Sequence, residues 1–206
     1  MNHNTHRQIS KHSFTGEDNH IRFLLNVLYI RPSSFYSFIS NLALDKIQVF
    51  KFGGASVKDA GAIKNVGTIL QATAHRPLAI VISAMGKTTN ALEDIIRTHY
   101  NQPENLPGMV EKLKNYHEEI SIELLQGKEK QLLNDLHDLW VELNWILEED
   151  PHPDYNYHYD QIIVFGELAS TKIVSAYLDH QQIKHQWLDA RSFIKTDSGY
   201  REARIQ

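Results

Sequence analysis

Cysteine is absent from all 206 residues. That excludes a disulfide framework and any Cys-ligated zinc site, and it is compatible with the cytoplasmic location expected for this chain. Dense Lys/Arg blocks are also lacking, and the formal net charge is −4. Nucleic acid is therefore not expected as the main partner. Long apolar runs are missing too. The stretch from Ile21 to Ile30 is too short to cross a bilayer as a helix, and it carries Arg22 and Asn26. Arg31-Pro32-Ser33-Ser34 follow it without a small-residue cleavage pattern, so neither membrane insertion nor secretion is expected. No repeat or low-complexity segment stands out.

What is present has ordinary globular texture, with 42% hydrophobic and 22% charged residues. The length suits one domain with an added subdomain. Residues 1–20 are polar and hold His3, His6, His12 and His20 at irregular spacing, which reads as a disordered leader rather than a metal tract. Residues 21–45 fit a short helix or a strand equally well. Together 1–45 read as an N-terminal extension, disordered or weakly structured, ahead of a domain over 46–206.

From Lys46 the pattern becomes periodic. Ile47 to Phe52 is a short, partly β-branched run ended by Gly53-Gly54, a strand followed by a tight turn. Asp59 to Ala74 repeats apolar residues at helical spacing. Leu78 to Ala84 is a continuous apolar run that fits a strand buried on both faces. A second helix is expected from Asn90 to about His99. This alternation predicts an α/β fold, a three-layer α/β/α sandwich with a largely parallel sheet. Residues 108–149 carry two helical stripes broken at Gly127, an inserted helical hairpin closed by Pro151. The loop from His152 to Tyr159 reads as polar, with solvated histidines. Asp160 to Leu178 reads as a helix interrupted near Gly166, and Gln182 to Leu188 as a strand.

Four segments carry chemistry. Val49-Phe50-Lys51-Phe52-Gly53-Gly54-Ala55-Ser56-Val57 delivers a lysine to a strand end, then two glycines and a helix start at Ser56, with Asp59 as capping-box partner. Lysine, open backbone amides and a helix N-terminus together suit an anion. The lysine precedes the glycines, so this is not a Walker A loop. Val81-Ile82-Ser83-Ala84-Met85-Gly86-Lys87-Thr88-Thr89-Asn90 ends a buried strand in a hydroxyl-rich loop. Phe165-Gly166-Glu167-Leu168-Ala169-Ser170 sets a glycine beside a carboxylate, which suits an ammonium group. Trp187-Leu188-Asp189-Ala190-Arg191 ends with an arginine able to grip a carboxylate through two N–H bonds.

In this order the four segments resemble the aspartokinases, within the wider amino-acid kinase family. K-F-G-G-[TA]-S-V is similar to their opening signature, with Ala55 where threonine is usual. The resemblance covers Val49 to Arg191 and the N-terminal part of the kinase domain only. It implies that Lys51 contacts the transferring phosphoryl group, as the catalytic residue. Lys51, Phe52, Gly53, Gly54 and Ser56 would hold the nucleotide phosphates, and Ser83, Thr89, Glu167 and Arg191 the amino acid. The implied reaction is transfer of a phosphoryl group from ATP, with Mg²⁺ on the nucleotide, to the side-chain carboxylate of L-aspartate. That is an opening step of lysine, threonine and methionine biosynthesis. No protein residue is assigned to the metal. Alternatives are a glutamate or acetylglutamate kinase of the same family, and a truncated, non-catalytic binding fragment. A homo-oligomer is expected, with no nucleic-acid or membrane partner.

Overall fold

A computed structural model describes residues 26–30, 47–73 and 77–206. The leader histidines and residues 31–45 lie outside the described residues. Four strands and five α-helices follow in order: β1 (Asn26–Ile30), β2 (Gln48–Phe52), α1 (Ala60–Thr73), β3 (Leu78–Ile82), α2 (Thr88–Asn101), α3 (Leu106–Leu125), α4 (Lys130–Glu148), α5 (Tyr155–His180) and β4 (Gln186–Leu188).

The sheet order is β2-β3-β1-β4. β2 and β3 pair in parallel, Phe50 opposite Ile80, joined by the α1 crossover that parallel neighbours need. β1 pairs antiparallel with both β3 and β4, Leu28 lying opposite Ile80 on one side and Trp187 on the other. The expected largely parallel sheet is therefore mixed. The departure is β1 alone, a strand from the segment whose helix-or-strand character the pattern left open. Leu28 and Ile30 are 0% and 1% exposed, so this part of the extension is built into the core.

Alternate strand residues explain the layers. Leu28, Ile30, Leu78, Ile80 and Ile82 are buried beneath α5. On the opposite face Val49 is 67% exposed, and Tyr29, Ala79, Val81 and Leu188 are only half-buried. The described helices thus stack on one side. The arrangement among the described residues has two layers, not the expected three.

α5 is the central helix, packed on α2, α3, α4 and β1. Its buried residues surround it on all sides, as expected for a helix with apolar residues all round. It starts at Tyr155, earlier than the polar loop suggested, because the Asp154 carboxylate accepts hydrogen bonds from the N–H groups of Asn156 and Tyr157 at 2.9 and 3.2 Å. It also runs unbroken through Gly166, where an interruption was expected. The expected hairpin is present: α3 ends at Gln126 and Gly127, both at positive φ, before α4 begins.

The early start of α5 changes the role of His158. It is 3% exposed, not solvated. His99 Nε2–H donates to the Glu149 carbonyl at 3.0 Å, so His99 Nδ1 accepts from His158 Nε2–H at 2.9 Å. This chain ties α2, α4 and α5 together. Burial, then the neighbouring charges of His99 and His152, lowers the His158 pKa to about 4. The unfolded chain titrates His158 near 6.5 and binds the proton that the fold refuses, so stability falls as pH drops from about 6.5 toward 4. Urea unfolding at pH 7 and pH 5 is expected to show that His158→Gln removes about 1–2 kcal/mol of the wild-type loss. Identical losses in both proteins would rule out His158 as the cause.

Candidate active site

The carboxyl ends of β2 and β3 set the first part of the site. Ser83 N–H donates to the Phe52 carbonyl at 3.0 Å, and Gly86 N–H to the Gly54 carbonyl at 3.0 Å. The two loops are therefore stitched backbone to backbone. Gly54 is required by this approach: a Cβ there would lie 2.7 Å from the Ala84 carbonyl oxygen and 2.9 Å from that of Gly86. Gly53 is extended, at φ −76°, and Lys51 Nζ would lie 3.7 Å from a Cβ placed on it. The Lys51 ammonium is thus folded over the glycine turn. Lys51 is exposed, and no carboxylate among the described residues pairs with it. Phe52 is half-buried and packs edge-on against Phe50.

The helix start differs from expectation. Gly54–Val57 is a single 3-10 turn, and Ser56 is exposed within it, making no side-chain cap. The cap of α1 is Asp59, whose carboxylate accepts from Ala62 N–H at 2.7 Å. The glycine turn has to end before an α-helix is able to begin, which moves the cap three residues on. α2 likewise begins at Thr88, two residues before Asn90, and has no side-chain cap. Thr89 lies in its first turn, half-buried.

α5 supplies the next part. A Cβ at Gly166 would lie 3.0 Å from Ala84 Cβ and 3.1 Å from Thr88 Cγ2. This glycine lets α5 approach the loop after β3. Ser170 Oγ–H then donates to the Ser83 carbonyl at 2.9 Å. Glu167 is 7% exposed, and the Ala84 N–H donates to its carboxylate. Its Oε2 is buried without a hydrogen-bond partner. Burial raises the Glu167 pKa to about 7, against the smaller lowering by backbone N–H groups.

Arg191 lies just beyond β4, at the same sheet edge. It is separated from Ser83 by the width of β1, since Val27 pairs with both Val81 and Leu188. Its guanidinium holds Asp189, with Nε donating to both carboxylate oxygens at 2.8 Å, instead of reaching Glu167. So the described structure gathers Lys51, Phe52, Gly53, Gly54, Ser83 and Glu167 around one backbone junction. Thr89 lies close by, Ser56 points to solvent, and Arg191 stands two strands away.

The hairpin contributes residues that the pattern did not single out. Tyr116 O–H donates to the Lys58 carbonyl at 2.5 Å, and its oxygen would lie 2.6 Å from a Cβ on Gly86, which sits at φ +53°. His117 is 0% exposed. Its Nδ1–H donates to Leu113 O at 2.8 Å, leaving Nε2 to accept from the Thr88 hydroxyl at 3.3 Å. Burial lowers its pKa to about 4, so it is neutral at pH 7. Tyr116 was legible only as an apolar stripe residue, and His117 carried no signal. A cavity of about 410 Å³ lies elsewhere, between the hairpin turn, the second half of α5 and Trp187; none of the expected site residues lines it.

The junction fits the phosphate end of a nucleotide in one respect, an unpaired ammonium beside a turn without side chains. For a metal ion the fit is poor: among the described residues no three His, Asp or Glu side chains cluster. Among the same residues no helix is long and apolar enough to cross a membrane.

The sequence and the fold are both similar to those of known proteins. The aspartokinase of Chlamydia trachomatis is 32% identical over 158 residues, 75% of this chain and 33% of its own. Bifunctional aspartokinase/homoserine dehydrogenase 2 of Escherichia coli is 26% identical over 155 residues, 73% of this chain and 18% of its own. The solved structure of Escherichia coli aspartokinase III in complex with aspartate and ADP superposes with a TM-score of 0.69 at 24% identity, covering 78% of this chain and 35% of that one. The chain thus spans about a third or less of the length of the curated relatives it matches. The model described as "Amino acid kinase family" matches residues 46–206, and the chain belongs to that family.

Proposed function

We propose that the carboxyl edge of this sheet positions the terminal phosphates of ATP against the side-chain carboxylate of L-aspartate, giving 4-phospho-L-aspartate. The observation that carries the reading is the buried Glu167 carboxylate with an unpartnered oxygen, joined through Ala84 to the loop that meets the Lys51 turn. A buried site for an ammonium group and an exposed cation for phosphate then lie side by side. Similarity to the aspartokinase relatives and the four motifs support aspartate as the substrate; other carboxylates of the same family are the competing substrates.

The substrate's own carboxylate is the nucleophile. With a reference pKa near 3.9 it is ionised at neutral pH, so the chain has no proton to remove. What remains is positioning and neutralisation of charge. Lys51 provides a mobile positive charge for the transferring group. Glu167 receives the α-ammonium of the amino acid, and Ser83 and Thr89 offer hydroxyls beside it. Arg191 would take the α-carboxylate by exchanging it for Asp189. Mg²⁺, when bound with the nucleotide, supplies charge neutralisation of the phosphates, and no residue here is assigned to hold it.

Two outcomes test the reading. Because Glu167 titrates at about 7, binding an ammonium group there drives its proton off. Aspartate affinity is expected to rise about tenfold from pH 6 to pH 8, with proton release seen by calorimetry in buffers of different ionisation enthalpy. Glu167→Gln is expected to abolish both the release and the pH dependence. A pH-independent affinity in wild type removes Glu167 from the site. For Lys51→Ala, MgATP affinity is expected to fall at least about tenfold, the loss of one charge-assisted contact. Unchanged nucleotide binding would remove Lys51 from the mechanism.

A further inference from the structure

Near its carboxyl end α5 holds a serine that the phosphoryl-transfer reading leaves unused. The helix ends at His180 and the chain reverses at Gln182, whose φ is +58°. Gln182 N–H donates to the Asp179 carbonyl at 2.9 Å, and Ile183 N–H to the Leu178 carbonyl at 2.9 Å, the pairing of a left-handed helix cap. This reversal lays His185 against the last turns of the helix. His185 Nδ1–H donates to the Ile183 carbonyl at 2.8 Å. A carbonyl only accepts, so the proton of the neutral ring sits on Nδ1 and Nε2 keeps its lone pair. Ser175 Oγ–H therefore donates to Nε2, at 2.7 Å. Thr171, one turn earlier, behaves differently: its Oγ–H bonds back to the Glu167 carbonyl at 2.8 Å, a common habit of helix hydroxyls.

The same serine lines the cavity of about 410 Å³ between the hairpin turn and Trp187. That size suits a small organic ligand. Leu125 and Leu132, each 4% exposed, and Trp187 give the cavity an apolar wall. The His185 side chain is 2% exposed, so the base is shielded from water, while Ser175 is half-buried at the cavity surface. Lys172 also lines the cavity, one turn before Ser175 on the same face of α5. Its ammonium lies 5.1 Å from the centre of the Trp187 ring, and no carboxylate among the described residues forms an ion pair with it. Asp179 Oδ1 stands 3.7 Å from His185 Nδ1. Asp179 is exposed, so the Ile183 carbonyl orients the ring and the carboxylate adds only a solvent-screened charge.

We propose that Ser175 and His185 form a second site, one that hydrolyses small esters carrying a short apolar acyl group and a good leaving group. A serine within hydrogen-bond reach of an oriented imidazole is the arrangement an activated nucleophile needs. Ser175 Oγ attacks the ester carbonyl carbon, and its proton passes to His185 Nε2. The carbonyl oxygen takes up the electron pair of the C=O bond and is met by the Lys172 ammonium. As the C=O bond re-forms, the bond to the leaving alcohol breaks, and His185 Nε2 returns the proton to that alcohol. Water then attacks the acyl-serine and gives a proton to Nε2; the carboxylic acid departs and Ser175 Oγ regains its proton. Water is the only co-reactant. Leu125, Leu132 and Trp187 receive the acyl group. The imidazole faces a neutral carbonyl where a stronger pair would have a buried carboxylate, so the leaving group has to be a good one. The site shares no residue with the Lys51 and Glu167 junction, so its failure leaves those tests untouched.

The probes are p-nitrophenyl acetate and p-nitrophenyl butyrate, with release of the phenolate followed by absorbance. The wild-type chain is expected to hydrolyse them with saturation. Ser175→Ala and His185→Gln are each expected to lower kcat/KM at least about hundredfold, the scale of a lost general base or its nucleophile. Lys172→Met should lower kcat about tenfold or more with little change in KM, because the ammonium meets the oxyanion only in the transition state. A serine that serves only to pin the His185 segment would not be covalently modified. Wild type is therefore also treated with a fluorophosphonate and digested, and the adduct is located by mass spectrometry. The adduct is expected on Ser175, and its formation is expected to fail in His185→Gln and in wild type unfolded by urea. Far-UV circular dichroism checks that each variant is folded; where one is not, the wild-type adduct decides. No saturable hydrolysis by wild type, no adduct on Ser175, or an unchanged rate in Ser175→Ala would each overturn the proposal.

Discussion

The close approach of α5 to the loop after β3 is the constraint on which the site depends. It exists because Gly166 has no side chain where Ala84 Cβ, Thr88 Cγ2 and Leu92 Cδ1 converge at 3.0–3.2 Å from a Cβ position. At that distance the Ala84 N–H reaches Glu167 and Ser170 reaches the Ser83 carbonyl. The same logic holds across the β2–β3 loops, where Gly54 allows direct backbone contact and Gly86 makes room for Tyr116. Three glycines thus allow close approach, to neighbouring backbone at Gly54 and to neighbouring side chains at Gly86 and Gly166. The carboxylate and the lysine are held at the rim of that junction.

Burial then sets the chemistry. Glu167 is desolvated and only partly compensated, so its proton affinity rises to near neutrality. His117 and His158 are desolvated in their neutral forms, each satisfied at both ring nitrogens or by a partner histidine, and their proton affinity falls. The hairpin contributes through this buried network. Tyr116 and His117 fasten α3 to the Lys58 turn and to Thr88, so what reads as a packed subdomain also holds the loops of the site in place.

Much of the fold was legible in residue patterns. The β2–glycine turn–α1–β3 unit, the two stripes of the hairpin, and the β4 strand all follow from local periodicity and turn chemistry. Lys51, Gly53, Gly54, Ser83 and Glu167 were each marked by a strand end or a neighbouring glycine, and the resemblance, not local pattern, grouped them. Less legible were features that depend on partners distant in sequence. His158 looks like a loop histidine until Asp154 is seen to start the helix and His99 to receive its proton. Arg191 looks free until Asp189, two residues away, is seen to hold it. β1 was ambiguous because a short, mostly apolar run fits a helix or a strand equally well, and only its pairing with β3 and β4 decides between them.

By itself the sequence determined which segments alternate between strand and helix, where the chain turns on glycine, and which charged groups stand at those turns. These are local properties, written in spacing and side-chain type. Tertiary structure alone decided the direction of the middle strand, the one-sided stacking of helices, and the protonation of the buried groups. Each of those rests on a pairing or a desolvation between residues far apart in the chain, and no local pattern encodes that distance.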